Sequence, residues 1–281
     1  MVALLTSCIG NLGIEKVDVS IQFRPVIGYD TRAEESVPFP EDRSFLLWAK
    51  GSFLEPMYIN AETISYNDGW RSAKFWPESK IDFHACWPLD IPVSYSLGDG
   101  LQIKGFDCSS ADIDILVAQA DSEKQIDGQV VLPFNHILSR VEFRMLHSLP
   151  DNMSVRLKKI SMIGFASKGD YNTKVAGNWN VAEEDFTYVV YDSGEAEGVS
   201  IRGGEADYIG HEFYVIPQPC MAALEVMYEV RYDNNTWVPQ TETIESLKTH
   251  WEPGKHYTYT VNLRMDKLTH TTGISSWSNR E

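Results

Sequence analysis

The sequence predicts an all-β protein built as two antiparallel β sandwiches in tandem. Three observations carry this: many short apolar runs, turn signals at close spacing, and no apolar stripe at helical period. The cleanest run comes first. Glu15 to Phe23 alternates without a fault, which puts Val17, Val19, Ile21 and Phe23 on one face of a strand. Pro25 is expected to end that ladder.

Further strands follow at Ser44–Ala49, Pro56–Ile59, Lys74–Trp76, Ile81–Ala85 and Val93–Tyr95. Turn signals separate them at Asn67-Asp68-Gly69, Trp76-Pro77, Trp87-Pro88 and Gly98-Asp99-Gly100. Asp112–Ala118 reads as one more strand. The polar run Asp121–Gly128 then marks a boundary between an N-terminal sandwich at 15–125 and a C-terminal one at 126–281, with 1–14 as leader remnant and linker. In the second half, strands are expected at Val130–Phe134, Val141–Leu146, Val155–Ile163, Phe213–Ile216 and Tyr257–Met265. Leu224–Tyr232 and Thr236–Val238 flank Asp233-Asn234-Asn235 as a hairpin. Asn135–Arg140 and Ile244–Lys248 are the two places where a short helical turn is expected.

The composition narrows the function. Of 281 residues 43% are hydrophobic and 12% aromatic, enough for real cores. A formal charge of −16 argues against nucleic acid, whose phosphates call for clustered Lys and Arg. Past Cys8 no run approaches the roughly 20 apolar residues of a membrane span. Leu5-Thr6-Ser7-Cys8 has the shape of a bacterial lipobox, although the basic and apolar parts of a leader are largely missing. A chance cysteine near a ragged terminus is the plain alternative; the polar Gly10-Asn11 that follows favours the lipid. Of the other cysteines, Cys86 and Cys220 read as small buried hydrophobes, and a Cys86–Cys108 disulfide is an open alternative.

No catalytic constellation stands out. The seven histidines lack ligand spacing, and neither a nucleophile elbow nor a phosphate-cradling glycine loop occurs. Asp99, Asp107, Asp112 and Asp114 lack calcium-loop spacing and read as solvated strand ends. No cofactor, metal site or enzymatic activity is expected. His136, between apolar neighbours, reads as a hydrogen-bonded core histidine that with Arg140 ties a loop to the next strand.

The run Leu132-Pro133-Phe134-Asn135-His136-Ile137-Leu138-Ser139-Arg140-Val141-Glu142-Phe143 resembles the F-x-H-x-L-S-R/K-apolar-x-F signature of the fimbrillin-like lipoproteins of Bacteroidales, with His136, Leu138 and Arg140 at its marked positions. Similar pieces occur in the expected order: Thr31-Arg32-Ala33, His84-Ala85-Cys86-Trp87-Pro88, Asp114-Ile115-Leu116-Val117-Ala118, Val215-Ile216-Pro217-Gln218 and Trp251–Tyr259. A Trp stands where the aromatic before Pro88 is usually Tyr. The resemblance implies two transthyretin-like sandwiches and a subunit, stalk or tip, of a type V pilus. Such a subunit travels to the outer membrane on a lipid, here on Cys8, and reaches the cell surface and fimbrium. An arginine-specific protease removes the first strand, and a neighbouring subunit's strand fills the groove. Val17, Val19, Ile21 and Phe23 would then be the removable plug. Arg24 is followed by Pro25, which trypsin-like enzymes reject, so the cut is expected between Arg32 and Ala33. The tail from Lys267 could be a donor strand or a simple edge. The alternative is a surface-anchored glycan-binding lipoprotein that does not polymerise and uses exposed aromatics such as Trp70, Trp179 and Trp237; a host or bacterial surface ligand is a further expected partner.

Overall fold

The computed structural model describes residues 19–28, 36–51, 57–109, 112–122, 128–183, 185–233 and 235–277. Among them there are strands and no helix. The first ten are β1 (Ser20–Ile27), β2 (Val37–Pro38), β3 (Phe45–Lys50), β4 (Met57–Ile64), β5 (Trp70–Phe75), β6 (Ile81–Trp87), β7 (Val93–Ser96), β8 (Gly100–Asp107), β9 (Leu116–Ser122) and β10 (Val130–His136). Next come β11 (Ser139–His147), β12 (Met153–Phe165), β13 (Lys168–Asn172), β14 (Trp179–Val181), β15 (Phe186–Asp192), β16 (Val199–Ile201) and β17 (Asp207–Val215). The last are β18 (Pro219–Cys220), β19 (Ala223–Tyr232), β20 (Val238–Ile244), β21 (Thr249–His250), β22 (Lys255–Leu263) and β23 (Leu268–Ser276).

The largest sheet runs β2-β1-β10-β9-β6-β3-β4, and β5 adds to β1. Because β5 directly follows β4, the two ends of this sheet are drawn towards each other, and its inner face encloses the first core. Phe23, Phe45, Phe83, Phe134 and Trp70 fill it. Its central strands are apolar on both faces. Phe45, Leu47 and Ala49 of β3 point into the first core, whereas Trp48 belongs to a second one. Phe83 and Cys86 of β6 divide in the same way, as do Leu116 and Val117 of β9. Burial on both faces is why these segments read as continuous apolar runs rather than as alternation.

The second core lies between those outer faces and the sheet β14-β13-β8-β7, which contributes Leu101, Ile103 and Tyr171. The third core lies between β17-β11-β22-β23 and β15-β12-β19-β20, with β16 on β12. Phe143, Tyr259, Trp251 and Leu224 are buried there.

Several expectations change. Pro25 does not end the first strand. It falls between the two outer partners of β1, since β5 pairs as far as Phe23 and β2 begins at Val26. At that gap the Pro25 carbonyl accepts from the Phe39 N–H at 3.1 Å. The division at 125/126 does not follow the strand pairing either. The polar run there joins two antiparallel neighbours, Phe134 opposite Ala118, so β10 belongs to the first sheet. In turn β13 of the later sequence pairs with β8. The helical turns expected at Asn135–Arg140 and Ile244–Lys248 are absent, because strand, a bend and irregular chain occupy each place. Not every pairing is antiparallel: β1 on β10 and β11 on β22 are parallel. The sequence reading places no strand at β8, β13, β14, β15 or β16. Cys86 and Cys108 are separate buried thiols.

Phe23 is fully buried and meets the Phe83 ring edge-on at 5.4 Å. Phe23→Ala should lower unfolding free energy by about 3–5 kcal/mol in urea titrations, and exposed Arg24→Ala by less than about 0.5 kcal/mol. At Gly210, φ is +69° and an added Cβ would sit 2.2 Å from the Val190 carbonyl oxygen. Gly210→Ala should therefore cost more than a surface substitution does, by the same measurement.

Candidate functional site

The first strand is held on both sides. Along β10 it pairs in parallel from Phe23 opposite Val130 to Ile27 opposite Phe134. On its other side lie β5, with Phe23 opposite Trp70, and then β2, with Ile27 opposite Val37. Ile21, Phe23 and Ile27 project into the first core, and Val19 packs against its margin. Each such side chain contributes about 2 kcal/mol through apolar burial. Among the described strands β1 comes first, and residues 28–36 join it to the next. If β1 were withdrawn, β10 would lose one of its two ladder partners and the core would open as a strand-shaped groove. The Arg24 backbone is paired within the ladder, opposite Val131. Cys8, Val17, Arg32 and Ala33 lie outside the described residues.

At the exit of β1 the chain crosses from the first sheet to the third core. Gly28 N–H donates to the Phe134 carbonyl at 3.0 Å, and β10 ends two residues later at His136. The His136 ring is buried, with Nδ1 2.7 Å from Asp114 Oδ2. Leu138 is fully buried in the second core. Arg140 bonds Glu212 through Nε at 2.6 Å and through Nη2. Ser139 Oγ donates to the Glu252 carbonyl at 2.8 Å, and Gly254 N–H to the Leu138 carbonyl at 2.9 Å. His136, Leu138 and Arg140 thus act as a structural junction, and the late motif at Trp251–Tyr259 closes on it.

Trp277 completes the junction. It stacks on His136 at 3.8 Å and 13° and on Tyr214 at 5.1 Å and 11°. Its backbone N–H donates to the Gly254 carbonyl at 3.0 Å. The stack anchors the end of β23, which pairs with β22 from Leu263–Leu268 to Lys255–Ser276 as the edge of its sheet. On either side of the His136–Trp277 pair lies a cleft, of about 670 and 520 Å3.

A model of the fimbrillin-like family matches residues 31–277, nearly the whole of the structure just described. The chain belongs to the fimbrillin-like family. Similar solved structures include a fimbrial protein from Bacteroides vulgatus, with TM-score 0.65 and 13% identity, covering 92% of this chain and 99% of that one. Another is a candidate cell adhesion protein from Bacteroides uniformis, with TM-score 0.55 and 14% identity over 92% and 98%. A third, also a candidate cell adhesion protein, is from Parabacteroides distasonis, with TM-score 0.57 and 10% identity over 94% and 98%. At such identities the likeness concerns the fold. No match was found among curated proteins.

Within this fimbrillin-like chain the three tryptophans proposed for glycan contact form no platform. Trp70 is buried in the first core. Trp179 plugs the second core and donates Nε1–H to the Ile137 carbonyl at 2.8 Å. Trp237 lies in the loop before β20, its ring covered by Arg156 and Arg231 at 4.4 and 4.6 Å. Nothing in the sequence brought Asp114 to His136 or Trp277 to His136 and Tyr214, because those residues lie far apart in the chain.

Burial, with help from Asp114 and Glu212, pushes the Tyr214 phenol up from 10.0 to about 12. The neutral phenol is favoured in the folded state, so its contribution is complete below pH 10.0 and is lost as pH rises towards 12. Urea midpoints should fall across that window, and Tyr214→Phe should make the fall shallower.

Proposed function

We propose that this fimbrillin-like chain is a structural or tip subunit of a type V pilus and serves adhesion. The observation that carries the reading is the first strand: a complete core element, paired on both sides, and first in the chain among the described strands. A strand of this kind is suited to exchange, because main-chain pairing and pockets for Ile21, Phe23 and Ile27 would receive another subunit's strand. In this proposal the protein is exported as a lipoprotein on Cys8, held at the outer membrane, and then carried to the cell surface and fimbrium. Cleavage between Arg32 and Ala33 frees the segment bearing Val17, Val19, Ile21 and Phe23. Partners are other pilus subunits through strand addition and a host or bacterial surface ligand at the tip.

Arg24 is a poor competing site, because a protease needs an extended, unpaired segment and Arg24 is inside the ladder with Pro25 after it. Limited trypsin digestion of the full chain should therefore cut after Arg32 first, and Arg32→Ala should abolish that product by mass spectrometry. The cut protein should exchange its strand: a synthetic peptide of residues 17–27 should slow assembly followed by light scattering. A first cut elsewhere, or a cut monomer that stays monomeric without taking up the peptide, would sink the proposal.

A further inference from the structure

The larger cleft at the exit of β1 has an unmet chemical demand. Among the described residues four carboxylates line it, from Asp90, Asp112, Asp114 and Glu212, against two guanidiniums, from Arg43 and Arg140. Glu212 is bonded to Arg140, and Arg43 rests over the Trp87 ring at 4.6 Å. The remaining acids outnumber the remaining cation.

The cleft wall also holds two buried polar atoms without a hydrogen-bond partner among the described residues, Asp114 Oδ1 and His136 Nε2. The His136 side chain is 3% exposed and that of Asp114 13%. Since Nδ1–H is given to Asp114 Oδ2, the neutral imidazole keeps its lone pair on Nε2. In that neutral tautomer both orphan atoms are acceptors. Buried acceptors left unpaired are costly, and a charged donor satisfies them best.

We propose that this cleft binds a basic side chain, an arginine above all, presented by a partner polypeptide. A guanidinium is flat and carries five donors in a fork, so it can serve two separate acceptors at once. Its charge also offsets the acid excess at Asp90 and Asp112 at the mouth, both of them exposed. An anion would meet three carboxylates, and an apolar group would leave both orphan atoms unpaired. The inference goes beyond strand exchange, since it concerns the cleft and not the groove of β1.

The full chain should be titrated by calorimetry with N-acetyl-arginine amide, the matching citrulline amide, N-acetyl-glutamate amide and a pentapeptide with a central arginine. The arginine amide should bind saturably at one site, and the pentapeptide no more weakly. Citrulline keeps the shape and loses the charge, so it should bind about tenfold more weakly or worse, and glutamate should not bind. Asp112→Asn and Asp114→Asn should each weaken the arginine amide by about tenfold. Asp112 is exposed, so its variant decides the matter if Asp114→Asn fails to fold. The proposal is overturned if the arginine amide does not saturate or citrulline equals it. Unchanged affinity in the Asp112 variant, or exclusion of the pentapeptide, also overturns it.

Discussion

The parallel pairing of the first strand with Val130–His136 is the constraint on which the rest depends. It brings the start of the sequence beside a segment more than 100 residues later, and it completes the first core. Without it Val130, Leu132 and Phe134 would line an open trough, and the sheet would have an unpaired edge in its middle rather than at its rim. The pairing also decides where the chain goes next. Once the later strand has been fixed against the first, its continuation at His136 can only cross outward, towards the other two sheets.

That crossing explains why a few polar residues recur at one place. A chain leaving one sheet for another gives up ladder hydrogen bonds, and buried main-chain groups must find partners elsewhere. Ser139 Oγ, Gly254 N–H and the Trp179 indole supply them or take them up. Asp114 holds the His136 ring, and Trp277 lies flat upon it. The same stack secures the last strand of the described chain. The exit of the first strand and the end of the last one therefore meet at a single junction, beside a cleft whose Asp114 Oδ1 and His136 Nε2 have no hydrogen-bond partner among the described residues.

Much of the strand content was legible because it rests on period and on turn chemistry. Val17 to Phe23 alternates, and Tyr257 to Leu263 does so again, with Tyr257, Tyr259, Val261 and Leu263 all buried. Strands with weak patterns were not legible: Lys168–Asn172 is short and mostly polar, and Trp179–Val181 has three residues at a sheet edge. Pro25 misled for a definite reason. A proline ends a strand only where its missing N–H is needed, and here it sits where one outer partner has stopped and the next has not begun. The run Asp121–Gly128 looked like a linker because polarity and glycine mark any connection; a hairpin link and a domain boundary share that composition.

By itself, the sequence determined the all-β character, the apolar face of the first strand, the burial of His136 and the family. Each follows from local residue order or from a linear motif. Only the tertiary structure decided that the first strand lies inside a sheet, that the expected halves share strands, and that Asp114, His136, Tyr214 and Trp277 form one cluster. Those contacts join positions far apart in the chain, and their energy comes from burial across sheets that no local window contains. The opening segment illustrates the division. Alternation alone identified a strand, and its pairing on both sides is what sets it inside a sheet.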